Sequence, residues 1–172
     1  GALVDKKAEA LEAIACILPH AGYKYSGDVA VKTVSLINIK DKVVLLGPNH
    51  TGFGALFSLM AEGIWQTPLG EIKIDSTLAK AILKNSKYLE DDSLAHIHEH
   101  SLEVELPILQ YFKPNFEIVP IAILSDEIGA LKEIGKEIAD TIKESNIRNS
   151  VLIIASSDMT HYEPQVQAQK KD

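Results

Sequence analysis

Residues 43–52, VVLLGPNHTG, decide the fold. Four apolar residues in a row, two of them β-branched, show no polar alternation and read as a buried strand. Gly47, Pro48 and Asn49 then break the strand, and His50 follows at once. The chain therefore uses a buried strand and a tight turn to deliver one imidazole.

Working outward, the same grammar recurs. IACIL (14–18) reads as another short buried strand, running into Pro19 and His20. GDVAVKTVSLI (27–37) carries Ala30, Val31, Val34 and Ile37 at helical spacing. FSLMAEGIWQTPLGEIKID (57–75) reads as strand segments joined by turns at Gly63 and at 68–70. STLAKAILKNS (76–86) is a helix with Ser76 as its expected N-cap. SLEVELPILQYF (101–112) places Leu102, Leu106 and Leu109 on one helical face, with Pro107 expected to kink it. FEIVPIAIL (116–124) is a strand whose Pro120 suggests an edge or a bulge. EIGALKEIGKEIADTIKES (127–145) is the clearest amphipathic helix, and SVLIIASSD (150–158) the last strand. Strands alternating with helices predict an α/β fold: a single layered domain with a central, mostly parallel or mixed sheet flanked by helices.

Bulk composition narrows the function classes. The chain has 172 residues, enough for one domain with a real core. Lys plus Arg is 17 and Asp plus Glu is 24, a net charge of −7, which argues against a nucleic-acid-binding surface. No apolar run approaches 18 residues, so no membrane span is expected. The opening GALVDKKAEALEA lacks the layout of a secretory signal. The single cysteine, Cys16, cannot form an internal disulfide, and a reducing, cytoplasmic setting is expected.

The chemistry gathers where strands end. His20, His50 and the pair Asp158 and His161 each follow a strand directly. In open α/β sheets, ligands collect beyond the carboxyl ends of the strands. Each residue alone has a structural explanation: a loop histidine, an aspartate capping a turn, a small core cysteine. If the strands are parallel neighbours, the side chains converge on one cleft, and two histidines with a carboxylate form a familiar first shell for iron or zinc. A second cluster, HIHEHSLEVELP (96–107), puts His100 at or near a helix N-terminus, where the dipole favours neutral imidazole. Glu99 and Glu103 are spaced to share a helical face, and His96 and His98 read as solvated residues of a charged helix start.

LPHAGYKYSG (18–27), LLGPNHTG (45–52), TPLGEIKID (67–75), HEHSLEVELPILQ (98–110) and SSDMTHYE (156–163) resemble, in order, the signature blocks of the Memo family. That family is similar in fold to the class III extradiol non-haem iron dioxygenases. The resemblance implies one α/β domain over residues 1–172 with a metal-binding pocket. It implies His20 and His50 as metal ligands, His100, Asp158 and His161 as catalytic pocket residues, and Tyr23 and Asn49 as substrate-binding. The implied cofactor is a divalent metal, iron first, with copper or zinc as other candidates. The implied activity, left open between enzyme and binding module, is a dioxygenase-like oxidoreductase acting on a small-molecule or peptide ligand. The alternative is a non-catalytic pocket for phosphotyrosine-type peptides or other anions in signalling; a hydrolytic zinc enzyme is a third reading. Two departures from the family pattern are expected. The family's third ligand, a cysteine beyond the Ser-Ser-Asp block, has no counterpart here, and its N-terminal aromatic segment is not recognisable in GALVDKKAEA. The chain is accordingly expected to lack the family's N-terminal segment and C-terminal part. Neither the substrate nor the oligomeric state is legible.

Overall fold

The computed structural model describes residues 10–172. The opening stretch GALVDKKAEA thus falls almost entirely outside the described residues. In chain order the elements are β1 (Ala15–Leu18), α1 (Tyr23–Ser35), β2 (Lys42–Pro48), β3 (Phe57–Leu59), β4 (Ile64–Thr67), β5 (Gly70–Ile74), α2 (Ser76–Asn85) and β6 (Glu90–Asp91). They continue with α3 (Leu106–Phe112), β7 (Glu117–Ile123), α4 (Ile128–Glu144), β8 (Val151–Ser156) and α5 (Gln165–Lys171). The eight strands form one mixed sheet in the order β1-β8-β2-β7-β3-β6, with β5 beside β7 and β4 beside β5. The expected α/β layered domain is what the chain forms.

β2 lies at the heart of this sheet, parallel to β8 on one side and to β7 on the other. Val43, Val44 and Leu45 are all fully buried, so both faces of the strand are covered. Each such side chain contributes about 1.5–3 kcal/mol of burial. α1 packs with α3, and α2 with α4, whose stripe of Ala130, Ile134, Ile138 and Ile142 is buried.

Four local expectations are corrected. Among the described residues β1 pairs only with β8, at the edge of the sheet, and Ile14 and Ile17 stay exposed although IACIL is apolar throughout. Pro120, expected at an edge or bulge, sits in central β7 opposite Leu45. Its carbonyl accepts from Met60 N, and its missing N–H falls on the same side, where β5 has left off at Ile118 and β3 pairs from Ile121. Asp75, not Ser76, caps α2 by accepting from Leu78 N, because Ser76 already has helical backbone. Pro107 opens α3 instead of kinking it, which suits a residue with no N–H to donate. A 3-10 turn over Glu103–Glu105 precedes it.

What matters for function is the alignment of strand ends. β1, β8 and β2 are adjacent and parallel, so their carboxyl ends open on the same side of the sheet. The segment 101–102 closes tightly over the end of β2. A Cβ on Gly47 would stand 2.6 Å from Leu102 Cδ2 and 3.2 Å from Ser156 Cβ, so a larger residue there would have to displace the Leu102 side chain.

Candidate metal centre

The ends of β1 and β2 and the connection before α3 bring three imidazoles together: His20, His50 and His100. The rings of His20 and His50 lie 5.3 Å apart, His20 and His100 5.9 Å, and His50 stacks on His100 at 4.8 Å. His20 is buried, whereas His50 and His100 reach solvent.

Two of these rings are held from behind. His20 Nδ1 lies 2.8 Å from Ser156 Oγ. His50 Nδ1 lies 3.0 Å from Glu99 Oε1. No hydrogen bond from the described residues reaches either Nε2; Asp158 Oδ2 stands 3.6 Å from that of His20. This is the pattern of metal-binding histidines, whose second nitrogen is tied to a carboxylate or hydroxyl that fixes the tautomer. Burial lowers the His20 pKa; Asp158 opposes that effect and the His50 and His100 rings reinforce it. The neutral imidazole this leaves is the metal-binding form.

Glu99 is the structural hub. Its Oε2 accepts from His50 N, while Oε1 accepts from His100 N at 2.8 Å and Ser101 N at 2.9 Å, besides facing the His50 ring. Burial alone would raise its pKa, but the bonds from the His50 ring and from the Ser101, His50 and His100 N–H groups outweigh it and hold the carboxyl at about 2. Among the described residues, His50, Glu99 and His100 form a group whose donor atoms lie within 4.8 Å of one another and that could hold a divalent metal. Yet Glu99 meets His50 through Nδ1 and has its oxygens engaged by N–H donors. Its geometry is that of the carboxylate supporting His50, with Nε2 facing outward.

Asp158 joins two strand ends. Its Oδ1 accepts from the backbone N–H groups of His20 and Ala21, and its Oδ2 lies 3.6 Å from His20 Nε2 and 3.7 Å from His161 Nε2. His161 is half exposed at the rim.

The other expected site residues have different surroundings. Tyr23 opens α1 with its ring half exposed, and its hydroxyl donates to Val104 O at 2.9 Å. Asn49 is buried, and its amide is committed to its own loop. Its Oδ1 accepts from Thr51 N, Thr51 Oγ1 and Gly52 N, and its Nδ2 donates to Phe53 O. His100 lies in a turn well before α3, so the helix N-terminus expected beside it is displaced to Leu106. His96, expected to be solvated, folds against Trp65 with ring centres 5.7 Å apart, and burial pushes its pKa down to about 4. His98 is exposed with a positive φ of 69°.

Sequence reasoning missed the role of Glu99. An acid between two histidines in HEH is the available signal.

Comparison with known proteins agrees with these motifs. The family model of Memo-like proteins matches residues 3–172. The chain belongs to the Memo-like family. A MEMO1 family protein of Methanopyrus kandleri is 45% identical over 91% of this chain and 56% of its own length. Relatives from Aquifex aeolicus and Aeropyrum pernix are 44% and 46% identical, covering 95% and 94% of this chain and 60% and 58% of their own lengths. The chain thus spans somewhat more than half the length of these curated relatives. Among the described residues, no helix is long and apolar enough to cross a membrane.

Proposed function

We propose that this Memo-like chain holds a divalent metal through His20 Nε2 and His50 Nε2, with iron favoured over copper or zinc, and serves a dioxygenase-like oxidation of a small molecule. One observation carries the reading: β1 and β2, which flank β8 and run parallel to it, deliver imidazoles whose Nδ1 atoms are both tied back by Ser156 and Glu99, and among the described residues neither Nε2 has a hydrogen-bond partner. A divalent iron bound there supplies a redox centre with open positions for oxygen and substrate.

The chain's own residues do the rest. Asp158 fixes the His20 loop through two backbone hydrogen bonds and stands beside Nε2 of both His20 and His161. His161, half exposed, is the proposed base that takes a proton from a substrate hydroxyl. His100, stacked on His50, flanks the same opening as a second proton-handling group. Tyr23, the first residue of α1 and half exposed, is the proposed substrate contact, whereas Asn49 serves the site through the loop that carries His50. The carboxylates of Glu99 and Asp158 give the opening an acidic character that favours a cation over a phosphate.

Elemental analysis of the full-length protein purified anaerobically, followed by metal titration, tests this. His20→Ala and His50→Ala should each weaken binding by more than the roughly 10–100-fold that loss of a supporting partner costs. Absence of a bound first-row metal, or unchanged affinity in both variants, overturns the proposal.

A further inference from the structure

Glu105 is buried to 0% exposure and takes no part in the function proposed above. It closes the 3-10 turn before α3 and lies behind the histidines. Its Oε1 stands 3.4 Å from Ser156 Oγ, and its Oε2 has no hydrogen-bond partner among the described residues. Ser156 Oγ also touches Ser101 O at 2.6 Å and His20 Nδ1 at 2.8 Å.

We propose that Glu105 is a positioning residue, a buried neutral acid that occupies Ser156 and through it holds His20 as the Nδ1–H tautomer with Nε2 free. The metal reading enters only in what the free Nε2 is for.

Donor counting carries the argument. A serine hydroxyl has one hydrogen and two lone pairs. Ser101 O is a carbonyl and can only accept, so the 2.6 Å contact takes the Ser156 hydrogen. The two lone pairs then face His20 Nδ1 and Glu105 Oε1. All three neighbours are satisfied in one assignment: His20 Nδ1–H donates to Ser156, and a protonated Glu105 donates to it as well. An ionised Glu105 would compete with Ser101 O for the single hydrogen and leave one acceptor bare in a site closed to water. The lone Oε2 fits the same picture, because an unpartnered oxygen costs far less on a neutral acid than on a carboxylate.

The charged and titratable neighbours agree. Glu105 is faced by Asp158 after β8, Cys16 on β1 and Tyr23 on α1, and among the described residues no Lys or Arg offsets its charge. Burial, reinforced by Asp158 and opposed by the Ser156 bond, pushes its pKa up to about 8.

The test uses metal-free, full-length protein with ¹⁵N-labelled histidine, followed by NMR from pH 6.5 to 9.5. His20 should show the Nδ1–H tautomer, with a step in its ring shifts near pH 8 as Glu105 loses its proton. Glu105→Gln keeps the volume and a donor to Ser156, so the tautomer should persist and the step should vanish. Ser156→Ala, a second route, should also abolish the step. An Nε2–H tautomer in the wild type, or a step that survives in either variant, overturns the proposal. Because no metal is present, a protein that meets these expectations yet binds no metal refutes the proposed function and leaves this assignment standing.

Discussion

Glu99 and Glu105 stand six residues apart in one connection, both buried, and they are held in opposite charge states. Glu99 is ringed by N–H donors and titrates at about 2; Glu105 faces a hydroxyl whose hydrogen is already committed and titrates at about 8. Burial raises both carboxyls. The difference lies in what faces them: a carboxylate with several close donors stays ionised under cover, and one with a single distant hydroxyl takes up a proton. The ionised acid braces His50 from behind, and the proposed neutral acid would brace His20 through Ser156.

Removing the ionised member should have the largest effect. Glu99→Gln replaces an oxygen that accepts from three groups with an amide that leaves buried donors unpaired. Metal affinity should fall on the order of 10–100-fold, as expected when a ligand loses its supporting carboxylate. The pH dependence has a definite sign. The folded pKa of about 2 lies below the ordinary 4.5, so this stabilisation is complete above about pH 4.5 and disappears as pH falls toward 2. Denaturant unfolding of wild type and variant should therefore converge in acid. Equal stability at pH 7 would mean that Glu99 does not brace His50.

The neutral member should act on stability in the reverse direction. Its folded pKa of about 8 lies above 4.5, so the folded state keeps a proton that the unfolded chain has lost between those values. Stability falls as pH rises through that window and levels off above about 8. Glu105→Gln removes this slope. Relative to wild type, its melting temperature should gain steadily from pH 5 to pH 8. Parallel curves across that range would break the contrast between the two acids.

The reasons one half of this arrangement was legible in sequence and the other was not are physical. His20, His50 and Asp158 follow apolar runs closed by turn residues, and a run that breaks at Gly-Pro-Asn announces its own end. Which strands lie side by side is a tertiary fact, but parallel order follows once helices separate the strands. Glu99 and Glu105 carry no comparable local mark. Their roles depend on the backbone N–H and ring of His50 and on the Ser156 hydroxyl, both far away in the chain. Likewise an apolar run cannot announce that it has a neighbour on one side only, so β1 looked buried. Pro120 looked peripheral because the gap between β5 and β3 that receives it is invisible in sequence.

The smallest expected effect sharpens the comparison between the two acids. Tyr23 Oη donates to Val104 O, one residue before Glu105, and is the link between α1 and the turn that carries the neutral acid. Val104 is only partly buried, so water can replace the lost donor in Tyr23→Phe. The stability cost should stay near 0.5 kcal/mol, the low end for a single hydrogen bond. The His50 side, held by Glu99, should be untouched, so metal-free His50 ring shifts should match wild type while those of His20 move slightly. A cost above about 1.5 kcal/mol, beyond what one neutral hydrogen bond provides, would mean that the Tyr23 link, and not burial of Glu105 itself, fixes the turn. The neutral acid would then be a passenger of that anchor, and the two ends of the connection would no longer be equivalent braces.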